Sequence, residues 1–115
     1  MAAQDLPADR KLRRRSEFQH VFDNGRRTHG RFFTLIAAPS PMTVTRLGIV
    51  ASRKLGGAVV RNRAKRLIRE VFRTSIAGGP PQDLVVIPKN ALLLADVEGL
   101  KREYATALRR CVSKT

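Results

Sequence analysis

The stretch KLGGAVVRNRAKRLIREVFR, residues 54–73, concentrates the side chains most capable of chemistry in this chain. On a helical wheel of about 100° per residue, Val60, Ala64, Leu67, Ile68, Val71 and Phe72 share one arc. Asn62, Lys65, Arg66, Arg69 and Arg73 fill a neighbouring arc, Arg61 lies on the border, and Arg63 falls beyond, beside Glu70. Like charges recur at 61, 65, 69 and 73, a turn apart. A helix face that is merely solvated usually mixes signs, because opposite charges at i,i+4 stabilise it by about 0.2–0.5 kcal/mol per pair. Here the repulsion is tolerated, which points to a polyanion that neutralises it. Arg in preference to Lys favours bidentate contacts with phosphate. Gly56 and Gly57 stand where this helix starts, and free N–H groups at a helix start also attract phosphate.

Other reactive residue types form no comparable pattern. His20 and His29 lie nine apart with no Cys or carboxylate at ligand spacing, which argues against zinc. His20 reads as an exposed helix residue, and His29 as a loop residue within reach of phosphate. No Ser–His–Asp set or carboxylate pair is legible, so no catalytic residue is assigned. Asp96 and Glu98 read as charges at a helix start. Cys111 falls on an apolar helix face and reads as core.

The rest of the composition agrees with a polyanion partner. Among 115 residues, 23 Lys and Arg face 9 Asp and Glu, a net charge of +14. Such a surplus repels itself in the folded state and fits nucleic acid first and an anionic membrane surface second. No apolar run reaches the roughly 18–20 residues a membrane helix needs. The first 18 residues carry no hydrophobic stretch suited to a secretory signal. A single cysteine excludes an internal disulfide and fits a reducing compartment, so a cytoplasmic location is expected.

The elements that must position the stripe follow from periodicity. Residues 1–9 read as disordered, and RKLRRR (10–15), with cations Arg10, Lys11, Arg13, Arg14 and Arg15, as too self-repulsive to order without a partner. SEFQHVFDNG (16–25) reads as a short helix with Phe18, Val21 and Phe22 on one face. Ser16 and Gln19 have capping-box spacing, and Gly25 suits a left-handed residue after the last turn. RFFTLIA (31–37) and TRLGIVAS (45–52) read as strands. GGPPQ (78–82) breaks the chain before the buried strand DLVVIP (83–88). Residues 96–112 form an amphipathic helix with Asp96 as N-cap. The order helix, strand, strand, helix, strand, helix gives an α+β fold, with residues 10–115 as one nucleic-acid-binding domain.

SRKLGGAVVRNRAKRLIREVFR resembles the signature segment of the bacterial ribonuclease P protein component. LRRRSEFQHVFDNGRR, RLGIVASRK and DLVVIPK extend the resemblance over most of residues 10–110. It implies a small ribosomal-protein-like sandwich of two layers, a mixed sheet with helices. It also implies a left-handed strand–helix–strand crossover, against the general right-handed rule, and one strand more than periodicity locates. By function it implies the protein subunit of a ribonucleoprotein endoribonuclease that removes the 5′ leader of precursor tRNA. The RNA would carry the catalysis and hold the Mg2+, the isolated protein would be inactive, and no protein partner would be required.

The resemblance carries roles onto named residues. Ser52, Arg53, Lys54, Arg61, Asn62, Arg63, Lys65, Arg66, Arg69 and Arg73 correspond to the surface for the catalytic RNA. Asn62 suits either a polar contact there or hydrogen bonding within the first helical turn. Phe18 and Phe22 match a groove for the single-stranded leader, where aromatic faces stack on bases without demanding a sequence. Core packing is the competing role for both. Phe32, Thr34 and Ile36 alternate onto one strand face, where Phe32 and Ile36 would continue the groove, with Phe33, Leu35 and Ala37 opposite. Ile36 stands where relatives often carry an aromatic residue, so only an apolar contact is expected there. The principal rival is a ribosomal or other structural RNA-binding protein. A membrane-surface or DNA-compacting protein is a more distant one.

Overall fold

Alternation along Phe33–Pro39 sends Phe33, Leu35 and Ala37 into one apolar cluster and Ile36 and Ala38 into another. This strand therefore divides the core in two. The computed structural model describes residues 7–75 and 80–112. Its helices are α1 (Arg15–Asn24), α2 (Ala58–Thr74) and α3 (Val97–Val112). Its strands are β1 (Arg26–His29), β2 (Phe33–Pro39), β3 (Arg46–Ile49) and β4 (Gln82–Pro88). The sheet order is β1-β2-β4-β3, antiparallel except for the parallel pair β3 and β4, which α2 connects.

The larger cluster joins Phe33, Leu35, Ala37, Leu84 and Val86 of the sheet to Ala64, Ile68, Val71 and Phe72 of α2. Leu100, Tyr104, Ala107 and Cys111 of α3 complete it. Burial of Tyr104 pushes its phenol pKa well above the ordinary value. The smaller cluster, on the opposite face, unites Val21 of α1 with Leu12, Ile36, Ala38 and Val85. The α+β sandwich with a mixed sheet is thus present: α2 and α3 cover one face, and α1 covers part of the other.

Several local expectations change. Residues 26–29 (RRTH) form β1, an edge strand with no apolar alternation to reveal it. His29 accordingly lies on a strand rather than in a loop. Arg14, not Ser16, is the N-cap of α1, and Ser16 lies inside the first turn. Glu17 Oε1 accepts from the N–H groups of Arg13 and Arg14, at 2.7 and 2.9 Å. Gly25 has extended backbone (φ −81°), not left-handed. Glycine is needed there for space, since a Cβ would come within 2.6 Å of Ile36 Cγ2. Gly56 is the residue at positive φ, 150°, and turns the chain into α2. Asp96 does cap α3, accepting from the Gly99 N–H at 2.7 Å.

The basic segment also differs from expectation. Ala8–Arg10 form a 3-10 turn, and the Leu12 N–H donates to Leu47 O at 3.0 Å along the free edge of β3. Leu12 is buried, while Arg10 donates to Thr45 O and lies over the Phe72 ring at 5.1 Å. One apolar anchor and an edge pairing therefore order residues 10–15 despite their charge, with Arg13, Arg14 and Arg15 turned to solvent. Residues 1–6 of the expected disordered terminus, and 78–79 of the GGPPQ break, lie outside the described residues.

Candidate nucleic-acid interface

Helix α2 buries Ala64, Ile68, Val71 and Phe72 and leaves Asn62, Arg63 and Arg66 exposed, with Arg61, Lys65 and Arg69 half-buried at their stems. Burying the stems while the charged heads reach water suits long cationic side chains. The expected Arg63–Glu70 adjacency is absent. Seven residues separate them along the axis by about 10 Å. Glu70 instead accepts from Arg73 at 2.8 Å, one turn on. Arg73 is thereby partly neutralised, whereas Arg61, Arg63, Lys65, Arg66 and Arg69 join no ion pair among the described residues. Ser52, Arg53 and Lys54 are exposed beside the helix start, on and just before a 3-10 turn (Arg53–Leu55).

The stripe does not end in open solvent. Lys11, Lys65 and Arg69 converge with Phe18, Leu12, Leu47, Gly48 and Ile49 around one cleft. The Phe18 ring rests on Gly48, where a Cβ would come within 2.5 Å of it. Glycine at 48 is therefore what lets α1 approach β3. Phe22, one turn on, packs over the smaller cluster with Phe18, Val50 and Ile87, all partly exposed. Arg27 of β1 stands over the Phe22 ring at 5.7 Å.

Two residues assigned to this groove do not join it. Ile36 is fully buried, beneath α1, and offers no surface. Phe32 precedes β2 and escapes its alternation. It packs against the larger cluster near α3, with Arg31 over its ring at 5.5 Å. The cause is Glu103 of α3, whose carboxylate accepts from the N–H groups of Arg31, Phe32 and Phe33 at 2.8, 2.8 and 3.1 Å. That triple contact turns the chain at 31–32. Val50 and Ile87 supply the apolar surface expected of Phe32 and Ile36.

A buried ionic network fixes the interface. Arg46 donates from Nε and Nη2 to the two oxygens of Asp83 at 2.9 and 2.7 Å, and from Nη1 to Glu17 at 2.9 Å. Arg46 and Asp83 are register partners at the start of the parallel pair β3 and β4. Bonds from the Arg13 and Arg14 N–H groups, aided by Arg46, hold the Glu17 carboxyl below its ordinary value. The Asp83 carboxylate is the main reason that the Arg46 pKa is raised. The network ties the basic segment, α1 and the sheet together. Its only trace in the sequence is one charge at the start of each of two apolar strands.

An α+β scaffold that sets a cationic stripe beside a partly exposed aromatic groove has the charge of a protein whose partner is a polyanion. Comparison with known proteins narrows this class. A model of the family Ribonuclease P matches residues 6–112. The ribonuclease P protein component of Petrotoga mobilis is 38% identical over 93 residues, covering 80% of this chain and 79% of that one. That of Citrifermentans bemidjiense is 31% identical over 114 residues, covering 99% and 98%. The solved ribonuclease P protein of Thermotoga maritima superposes with a TM-score of 0.75 at 32% identity, covering 87% of this chain and 96% of that one. The chain belongs to the ribonuclease P protein family. Among the described residues, no helix is long and apolar enough to cross a membrane.

Proposed function

We propose that this chain is the protein subunit of a ribonuclease P ribonucleoprotein, with residues 10–115 acting as one RNA-binding domain in the cytoplasm and no protein partner required. The α2 stripe, with Ser52, Arg53 and Lys54, docks on the catalytic RNA. The groove at Phe18 and Phe22 takes the single-stranded 5′ leader of precursor tRNA. The observation that carries this reading is the cleft where Lys11, Lys65 and Arg69 meet Phe18, because it makes the stripe and groove one continuous surface. Holding the leader beside the docked RNA makes substrate capture by that RNA effectively intramolecular. A ribosomal or other structural RNA-binding role would use the stripe but gives the groove no task.

Five of the protein's carboxylates are already engaged by its own donors. Glu17 and Asp83 are held by Arg46, Glu70 by Arg73, Glu103 by three backbone N–H groups and Asp96 by its helix cap. Among the described residues, no three metal-ligating side chains gather. It is the family resemblance that assigns the Mg2+ of the reaction to the RNA, and the hydrolytic step with it.

The test is direct. Protein freed of RNA will not cleave precursor tRNA, and adding it to its cognate RNA will stimulate cleavage most at low magnesium, where cations are scarcest. Cleavage by the RNA-free protein would overturn the proposal. A second measurement addresses the stripe. Changing Lys65, Arg66 and Arg69 together to Ala will weaken binding to the catalytic RNA and flatten its log–log salt slope by on the order of two, at roughly 0.7–0.9 per phosphate contact. An unchanged slope with the circular dichroism intact would return the stripe to a solvated surface.

A further inference from the structure

A second cationic surface lies at the far edge of the sheet from α2. Arg26, Arg27, Thr28, His29 and Arg110 line a shallow concavity where β1 meets the end of α3. No carboxylate lines it, and none of its arginines joins an ion pair among the described residues. Arg26, Arg27 and Arg110 are all exposed. A basic residue in the last turn of α3 is ordinary, since it offsets the helix dipole. That does not account for two adjacent arginines on a strand.

The strand places them on both sides of the edge. Arg27 pairs in register with Ile36 and so faces the groove, where it covers Phe22. Arg26 pairs with Ala37 and faces α3. Cys111 donates to Arg26 O at 3.2 Å and lies 3.3 Å from Thr28 Oγ1, which pins the end of α3, and with it Arg110, beside the strand. Among the described residues the other side of β1 pairs with no strand, leaving an edge of backbone polar groups open.

The groove itself has a direction. Its Phe18 end abuts Lys65 and Arg69 at β3, and its Phe22 end abuts Arg27 at β1. We infer that the edge formed by Arg26, Arg27 and Arg110 binds the phosphodiester backbone of the 5′-distal leader as it leaves the groove. This rests on the groove reading given above. A single strand entering beside the docked RNA crosses from β3 to β1, three strand spacings or about 14 Å. That distance takes roughly four nucleotides at a stacked spacing of about 3.4 Å. Shorter leaders end in the groove, and longer ones reach the arginines.

The experiment uses the complex with catalytic RNA and compares Arg26→Ala/Arg110→Ala with wild type on precursor tRNAs carrying leaders of about three and about ten nucleotides. Arg27 is left intact because it also covers Phe22. The long-leader affinity of the variant will fall about tenfold, and its salt slope will flatten by about 1.4, at roughly 0.7 per contact with a single strand. Short-leader affinity will be unchanged. Arg26→Lys/Arg110→Lys, which keeps the charge, will retain most of the slope. Equal losses on both leaders, no loss on the long one, or a loss confined to binding the catalytic RNA would each overturn the inference. Preference of the wild type for the short leader over mature tRNA reports separately on the groove, so the two readings fail distinguishably.

Discussion

Replacing Asp83 with Ala will destabilise the fold by about 3–5 kcal/mol, the usual cost of leaving one partner of a buried ion pair uncompensated. Asp83 is 1% exposed and holds Arg46, itself 8% exposed, through two short hydrogen bonds. Without Asp83, Arg46 keeps only Glu17, whose side chain is 25% exposed and partly screened by water. A second variant, Arg46→Met/Asp83→Leu, removes both charges and will recover much of the loss, since apolar replacement of a whole buried pair is often neutral or stabilising. Urea denaturation of the two variants reads the difference. Equal destabilisation would show that packing of β3 on β4, rather than charge, dominates at this corner. The same titration at falling pH reports on Glu17. Its folded pKa lies below 4.5, so its contribution is complete above about pH 4.5 and is lost as the pH falls through the folded value.

That corner joins segments far apart in the chain, and such contacts leave no local pattern. The α2 stripe was legible because 3.6-residue periodicity separates its arcs over four turns, and α3 for the same reason. β1 was not, because RRTH is an edge strand whose alternate residues face solvent and α3 rather than a continuous core. In the basic segment, the repulsion of five cations was visible, but the anchoring power of Leu12 depends on a β3 edge 35 residues away. Glu103 lies 70 to 72 residues from the turn it organises. No local pattern announces such a contact, and it moved Phe32 to the wrong face for the groove. Ile36 was placed on the correct face, but whether a facing residue is floor or core depends on how closely α1 approaches. Gly25 and Gly48 set that distance, the first sized against Ile36 and the second against Phe18. Pattern located the cations that need only be exposed. Contacts between distant segments decided which aromatic rings share a surface.

Phe22 is where these two kinds of information meet, and its replacement by Leu separates packing from ligand binding. Leu keeps most of the apolar volume over the Val21 and Ile36 cluster but removes the aromatic face. It also removes the cation–π contact with Arg27, worth about 0.5–1 kcal/mol at an exposed site. The thermal midpoint will therefore fall by a few degrees, at about 4–8 °C per kcal/mol for a domain near this size. That fall occurs whether or not RNA is ever stacked there. Binding carries the distinct signal. Base–aromatic stacking is worth about 1–3 kcal/mol per base, roughly fivefold to more than a hundredfold in affinity. In complex with the catalytic RNA, the variant will lose that factor on precursor tRNA with a leader of several nucleotides and lose nothing on mature tRNA, which has no strand for the groove. Phe22 is partly buried over the smaller cluster with the Arg27 guanidinium above its ring, so a base that stacks on that face must displace Arg27 from it. A variant with the lower midpoint but an undiminished preference for leader-bearing substrate would leave Phe22 as core alone. It would also shift the groove toward Phe18, the ring that Gly48 seats beside Lys65 and Arg69.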